Sequence, residues 1–401
     1  MFVTFNFVQK KQWPEQAFNF GFFFFAYYGF IGMFSPYASL FFAQRGMTAP
    51  QIGILMSLMQ VMRIFGPNLW GWVADRSQRR VAVLRITALA ATVTFSGMFF
   101  GQTFAQFFAV MMVVNAFTSA QGPLSEALML SAMRGDLTHY GRLRLWGSIG
   151  FIVAVTIGGE VLDRSSIELV PWMSWMMLGL ILFASLRLKD SVVLPTKLAL
   201  PSVLTILRRP DVAGFFVSSC MMIAAHASLY VFLSLYLSQI GYSKTAIGLM
   251  WSLGVVAEIV FFYFQAPLFR RFGVRRLLLA SLLIAVLRFS IIGVGAESLS
   301  LLIIAQLLHA ATFATHHSAS VMWMQRWFSG PLQASGQALY ISISYGLGGS
   351  AGGLIMSVFW ERFGPQTVFI AAAGFALLAA IAANWSTART LRLSRISGYK
   401  T

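Results

Sequence analysis

Twelve runs of mostly apolar residues, each close to the roughly 20 that a helix needs to cross a bilayer, account for nearly all of this chain. They fall at about 18–42, 52–73, 81–100, 103–132, 142–162, 169–187, 212–238, 246–269, 277–295, 299–325, 334–360 and 366–388, each bounded by charges or turn residues. No polar domain of any size fits between them. Of 401 residues 58% are hydrophobic and 10% charged, against about 25% charged in soluble domains. Backbone polar groups inside a bilayer must be satisfied within the segment, which runs of this length achieve as α-helices. An all-α membrane protein of twelve spans is expected. The first run follows Lys10 and Lys11; it is too long for a signal-peptide core and no small-residue cleavage site follows, so it reads as a retained span.

A net charge of +17 would suggest a nucleic-acid partner in a soluble protein. Its placement argues otherwise. With the N-terminus inside, all but six of the 29 basic residues lie in cytoplasmic tails or loops; Arg45, Arg164, Lys244 and Arg362 face the other side, and Arg63 and Arg288 lie within spans. The positive-inside rule puts both termini in the cytoplasm of an inner-membrane protein, where the basic loops meet anionic lipid. Cys220 is the single cysteine, so no internal disulfide forms, and no metal-ligand or nucleophile constellation appears. Neither cofactor nor metal is expected, and an enzyme is not.

The longest connection, Leu188 to Asp211, contains Pro195, Pro201 and Pro210. It divides the chain into a six-helix bundle over 1–187, a cytoplasmic linker over 188–211, and a second bundle with a short basic tail over 212–401. An internal repeat supports this. An offset of 195 residues pairs Gly46, Ile52, Gly53, Ser57, Leu58 and Val61 with Gly241, Ile247, Gly248, Ser252, Leu253 and Val256, and lays the basic loop Gly71–Arg80 over Ala266–Arg275. Two halves of like orientation follow.

Gly71-x-x-x-Asp75-Arg76-x-x-Arg79-Arg80 resembles the loop that marks the major facilitator superfamily, with Gln78 where a glycine is usual. Tyr140-Gly-Arg-Leu-Arg-Leu-Trp-Gly-Ser148, with Glu126 before it, is similar to the fourth and fifth helices of the lactose permease group. Ser252-Leu-Gly-Val-Val-Ala-Glu258, Leu268-Phe-Arg-Arg and Gln306-Leu-Leu-His309 resemble the bacterial phenylpropionate permease-like branch. The resemblance spans essentially the whole chain. It implies two bundles that rock about a central site, with proton-coupled uptake as the usual activity.

Ionisable side chains within spans cost a few kcal/mol or more each, so each is a functional candidate. Asn115, Ser119, Gly122 and Glu126 share one face of the fourth span. By resemblance, Glu126 and Arg144 form the charged pair that binds substrate hydroxyls in sugar permeases, and Phe151 stands where those permeases stack a ring; an ion pair that braces the two helices is the alternative. Arg63 and Glu258 are equivalent under the repeat, which sets them on opposite sides of the cavity. Trp251, Gly254, Glu258, Phe262 and Gln265 share a face, placing Glu258 among aromatic and polar groups. It is either the proton-coupling carboxylate or the permanent partner of Arg63 or Arg288. Arg288 matches the ninth-helix arginine of the sugar permeases, which belongs to their proton pathway. On the tenth span Gln306, His309, Phe313, His316 and Ser320 form a polar stripe. His309 matches the family's histidine, but Gln306 and Thr312 replace a lysine and the proton-carrying glutamate of lactose permease, so protons must use Glu258, Glu126 or a histidine such as His309, His316 or His226. Asp75 with Arg76, Arg79 and Arg80 resembles a gating latch, although positive-inside anchoring alone would explain the arginines. Tyr27, Tyr28 and Tyr37 are candidates to face the cavity, and the glycines around 147–158 and 348–353 offer close helix crossings.

Together these features predict a monomeric secondary active transporter. It moves a small organic solute with protons: an aromatic or other organic acid such as phenylpropionate, or a sugar or nucleoside. The same fold run as a proton-coupled exporter of drugs or metabolites is the alternative.

Overall fold

The computed structural model describes residues 16–133, 139–190 and 200–396; Lys10, Lys11, Arg134 and Pro195 lie outside the described residues. Among the described residues twelve helices are long and apolar enough to cross a bilayer: α1 (Ala17–Gln44), α2 (Ala49–Ser77), α3 (Arg80–Phe99), α4 (Phe104–Ala132), α5 (Tyr140–Arg164), α6 (Ile167–Leu186), α7 (Pro210–Gln239), α8 (Lys244–Phe272), α9 (Val274–Gly295), α10 (Leu299–Trp327), α11 (Ser335–Phe363) and α12 (Pro365–Leu393). No strand occurs among the described residues. A short helix, Leu200–Leu207, lies between α6 and α7.

Local sequence sets the helix starts. Thr48 and Gln51 form a reciprocal capping box ahead of α2, as do Thr103 and Gln106 ahead of α4, satisfying amide groups that the helix leaves unpaired. The repeat is visible in the backbone. Gly46 and Gly241 turn with φ of 76° and 96°, and two residues later Thr48 and Ser243 cap α2 and α8. At the next equivalent pair Gly273 has φ of 77° and Gln78 has φ of 53°. The family's usual glycine at this loop position therefore has a physical cause: the chain turns left-handed there, which glycine does without a Cβ penalty.

Helices α1–α6 and α7–α12 form two six-helix bundles. Glycines let the helices within each approach closely. Gly32 leaves no room for a Cβ beside the Phe151 backbone, Gly150 presses on Phe25, and Gly348 and Gly352 press on Cys220 and Ala224 of α7. A different set brings the bundles together. Gly53 meets Ser357, Gly349 meets Gln60, Gly159 meets Lys244 O, and a Cβ on Gly248 would stand 2.5 Å from both Val155 O and the Tyr37 hydroxyl.

The seal between the halves lies at their outer ends. Asp163 of α5 accepts hydrogen bonds from the Lys244 and Thr245 amides at 2.8 and 2.7 Å, so a carboxylate caps the positive end of α8 from the opposite half. Lys244 Nζ is 3.6 Å from the same carboxylate, and the Thr245 hydroxyl donates to Glu160 at 3.1 Å. Thr156 and Ser252 join at 2.7 Å. The Tyr37 hydroxyl donates to Val155 O at 2.7 Å and lies 3.3 Å from Lys244 O; Tyr37, expected to face the cavity, is instead wholly buried in this seal. Those of these hydrogen bonds that join the two halves lie in the outer region, and packing between the halves runs through α2 with α11 and α5 with α8. Among the described residues these contacts close the halves at their outer ends, the arrangement expected of an inward-facing carrier.

Candidate functional site

In the first bundle Glu126 and Arg144 meet across α4 and α5, with Arg144 Nε 3.1 Å from Glu126 Oε1. Arg144 donates to the Tyr28 hydroxyl at 2.8 Å, and its guanidinium lies over the rings of Tyr28 and Phe24, 4.7 and 5.3 Å from their centroids. The side chains of Arg144 and Glu126 remain 29% and 38% exposed, so the pair is open on the inner side. Tyr27 packs edge-on to Tyr28 at 5.0 Å, and its hydroxyl faces Gly122, where a Cβ would sit at 3.0 Å. Gly122 thus makes room for a phenol between α1 and α4. Phe151, two turns along α5 from Arg144, is half-buried.

In the second bundle Glu258 Oε1 lies 2.6 Å from His309 Nε2. Neither Arg63 nor Arg288 is in contact with this carboxylate among the described residues. Arg288 is 1% exposed and donates to three neutral oxygens: Ala305 O at 2.8 Å, Thr312 Oγ1 at 3.1 Å and Gln306 Oε1 at 3.4 Å. The two departures from the lactose permease pattern, Gln306 and Thr312, are therefore acceptors for Arg288. A guanidinium left bare at this depth would cost at least about 3 kcal/mol, and these contacts offset that cost without a carboxylate. Trp251 donates to Ser234 at 3.0 Å and stacks on Tyr230, while Gln265 accepts from Ser318 at 2.7 Å. The expected polar face of α8 is present, save that Phe262 is 39% exposed.

The stripe on α10 is shifted by one residue. Ala310–Ala314 forms a π-helical turn, which holds one residue more than an α-turn and moves everything after it one position along the face. The rings of His309, Phe313 and His317 consequently stack in a ladder, with centroids 5.4 and 6.5 Å apart. Glu258 and His317 lie within electrostatic reach of one another. His316, expected on this face, is 2% exposed, with His226 and His317 as its titratable neighbours, and it stands beside the ring ladder that His317 joins. His226 is likewise buried, its Nδ1 3.0 Å from Met222 O. A further π-helical segment, Ile341–Gly348 on α11, carries Tyr345, whose hydroxyl is 3.1 Å from His317 Nδ1. Sequence reasoning misses both His317 and Tyr345, because a uniform helical period points to the wrong member of the pair His316-His317 and nothing in it marks the tyrosine.

Arg63 reaches across from α2. Its guanidinium lies 5.8 Å from the Tyr345 ring centroid, and among the described residues it meets no carboxylate. Among the described residues Arg144 is taken by Glu126, Arg288 is enclosed and held by neutral oxygens, and Arg63 has an aromatic ring in place of an acid beside it. The loop after α2 is a separate feature. Asp75 is 62% exposed and paired with Arg80 at 2.9 Å in its own loop, Gln78 Nε2 donates to Asp75 O, Arg76 lies over Trp72, and Arg79 stands exposed ahead of α3.

Two bundles of six apolar helices, joined at their outer ends and carrying charged groups within the spans, have the architecture of a membrane transporter. The model of the MFS_1 like family matches residues 18–371, and the chain belongs to that family, within the major facilitator superfamily. It is 29% identical over 341 residues to the "Probable 3-phenylpropionic acid transporter" of Escherichia coli (strain K12), covering 84% of this chain and 88% of the other. It is 26% identical to the maltose permease of Geobacillus stearothermophilus, covering 87% and 89%. The crystal structure of the nucleoside transporter NupG superposes with a TM-score of 0.81 at 19% identity, over 93% of this chain and 99% of that one. The protein is a multi-pass inner-membrane secondary transporter for a small organic solute.

Proposed function

We propose that this chain is a monomeric importer that takes up a small organic acid, aromatic by preference, together with protons. The observation that carries the reading is the Glu258–His309 contact at 2.6 Å on the wall of the cavity, beside an arginine whose own contacts are all neutral. A carboxylate hydrogen-bonded to an imidazole, with no guanidinium fixed on it, can gain and lose a proton as the cavity opens to either side. Arg288 keeps a positive field next to Glu258 so that the proton is released again. Arg63 receives the substrate carboxylate; Glu126, Arg144, Tyr27 and Phe151 contact the rest of the molecule. Residues 1–187 and 212–401 rock as two units joined by 188–211, and Asp75 with Arg76, Arg79 and Arg80 latches the inner side when it closes. The similarity to a probable phenylpropionic acid transporter supports an aromatic acid over a sugar.

Uptake of labelled 3-phenylpropionate into membrane vesicles, with and without an imposed proton gradient, tests this. Accumulation should require the gradient, and Glu258→Gln should abolish accumulation while equilibrium exchange continues. Gradient-independent uptake by the wild type would overturn the symport reading, and a gradient-driven Glu258→Gln variant would remove Glu258 from the role.

A further inference from the structure

A continuous line of contacts joins an arginine of one half to the proton site of the other. Arg63 of α2 rests on the face of Tyr345, 5.8 Å from the ring centroid. The hydroxyl of that same ring is 3.1 Å from His317 Nδ1. His317 stacks on Phe313 and Phe313 on His309, and His309 holds Glu258. Ser318, next to His317, donates to Gln265 of α8 at 2.7 Å, so this part of α10 is fixed against the helix that bears Glu258. Tyr345 is 7% exposed and has Tyr340 packed edge-on at 5.7 Å. It has little freedom to move without moving His317.

We propose that Tyr345, acting through His317, is the positioning residue that makes proton loading at Glu258 depend on substrate at Arg63. This rests on the symport reading above and assigns the coupling within it. In this structure the Tyr345 ring occupies the face of Arg63. A carboxylate pairs with a guanidinium more strongly than an aromatic face does, so bound substrate draws Arg63 off the ring. Tyr345 is then released from the first half and its hydroxyl bond to His317 is reset. His317 faces groups that feel this change: Glu258 on α8 and Arg144 on α5, Tyr340 and Tyr345 on α11, and Phe313 and His316 on its own helix. The link is reciprocal, since a proton that favours substrate must be favoured by substrate to the same extent.

The test compares gradient-driven accumulation of 3-phenylpropionate with its equilibrium exchange in the same vesicles. Tyr345→Phe keeps the ring under Arg63 and removes only the hydroxyl; His317→Asn removes the imidazole it meets. For both, accumulation should fall about fivefold or more, the lower end of usual coupling strengths, while exchange falls by no more than about twofold. Parallel loss of both would indicate a merely structural role and overturn the proposal. A Tyr345→Phe variant that accumulates like the wild type, in a background where Glu258→Gln does not, overturns this proposal alone. A wild type indifferent to the gradient overturns the symport reading and the coupling role with it.

Discussion

Arg63 and Arg288 are the same residue type at similar depth, and their surroundings give them opposite possibilities. Arg288 is 1% exposed and held by Ala305, Gln306 and Thr312, so a ligand would have to displace those contacts to reach it. Among the described residues Arg63 meets no carboxylate and has an aromatic face beneath it. Losing a hydrogen bond to a charged group typically costs about 1.5–3 kcal/mol, or roughly 10–100-fold in affinity. Arg63→Gln is therefore expected to weaken binding of 3-phenylpropionate by that factor and leave its uncharged amide analogue nearly unaffected, as measured by calorimetry or competition on purified protein. Equal losses for acid and amide would mean that Arg63 does not read the carboxylate. At this scale the ionisable candidates were legible because charge at membrane depth is costly and hence conspicuous. Which arginine is free was not, because Gln306 and Thr312 differ from Arg288 by only 18 and 24 positions along the chain and nothing short of the packing shows them turned toward it.

Among elements, α10 shows where periodicity arguments fail. The twelve spans, the turn glycines and the repeat follow from composition and local turn chemistry, which act over a few residues. The face of a long helix depends on every residue before it, and a π-helical turn at Ala310–Ala314 passes a one-residue error to all that follow. The consequence is testable. Deleting Ala311 should convert this turn to a regular one and leave His309 and His317 aligned, seven residues apart on one face. Its folded yield and melting temperature should stay near wild type. Deleting Leu302, within regular α-helix, would rotate the flanking segments by about 100° relative to each other and should abolish folding. Equal damage from both deletions would show that the extra residue is needed for more than register.

In the molecule as a whole, the two surfaces are in opposite conditions. Outside, Asp163 caps α8 from the other half; inside, Asp75 pairs with Arg80 of its own half, across the turn from α2 to α3. The repeat hinted at asymmetry, since Arg270 stands where the second copy would need its acid, but the outer cap joins residues distant in sequence and unrelated by the repeat. Asp163→Asn removes the charge and one of two acceptors that hold the inward-facing state. At about 1.5–3 kcal/mol per charged hydrogen bond, the outward-facing population should rise by tenfold or more. With Cys220 replaced by Ser, a cysteine at Ser357, which packs on Gly53 in the seal, should be alkylated from outside correspondingly faster in the Asp163→Asn background. Unchanged alkylation would mean that the glycine packing alone holds the halves together.

That packing separates two kinds of freedom. At Gly53, Gly159 and Gly248 the halves meet where a side chain would otherwise stand, so none of these positions accepts a larger residue while the seal is closed. The groups proposed to read the cargo lie elsewhere, on walls that open to the interior. A lineage built on this frame can therefore exchange one cargo for another by substitutions around Arg63, Phe151 or Glu126 without disturbing the motion. Its least negotiable positions are those with no side chain at all.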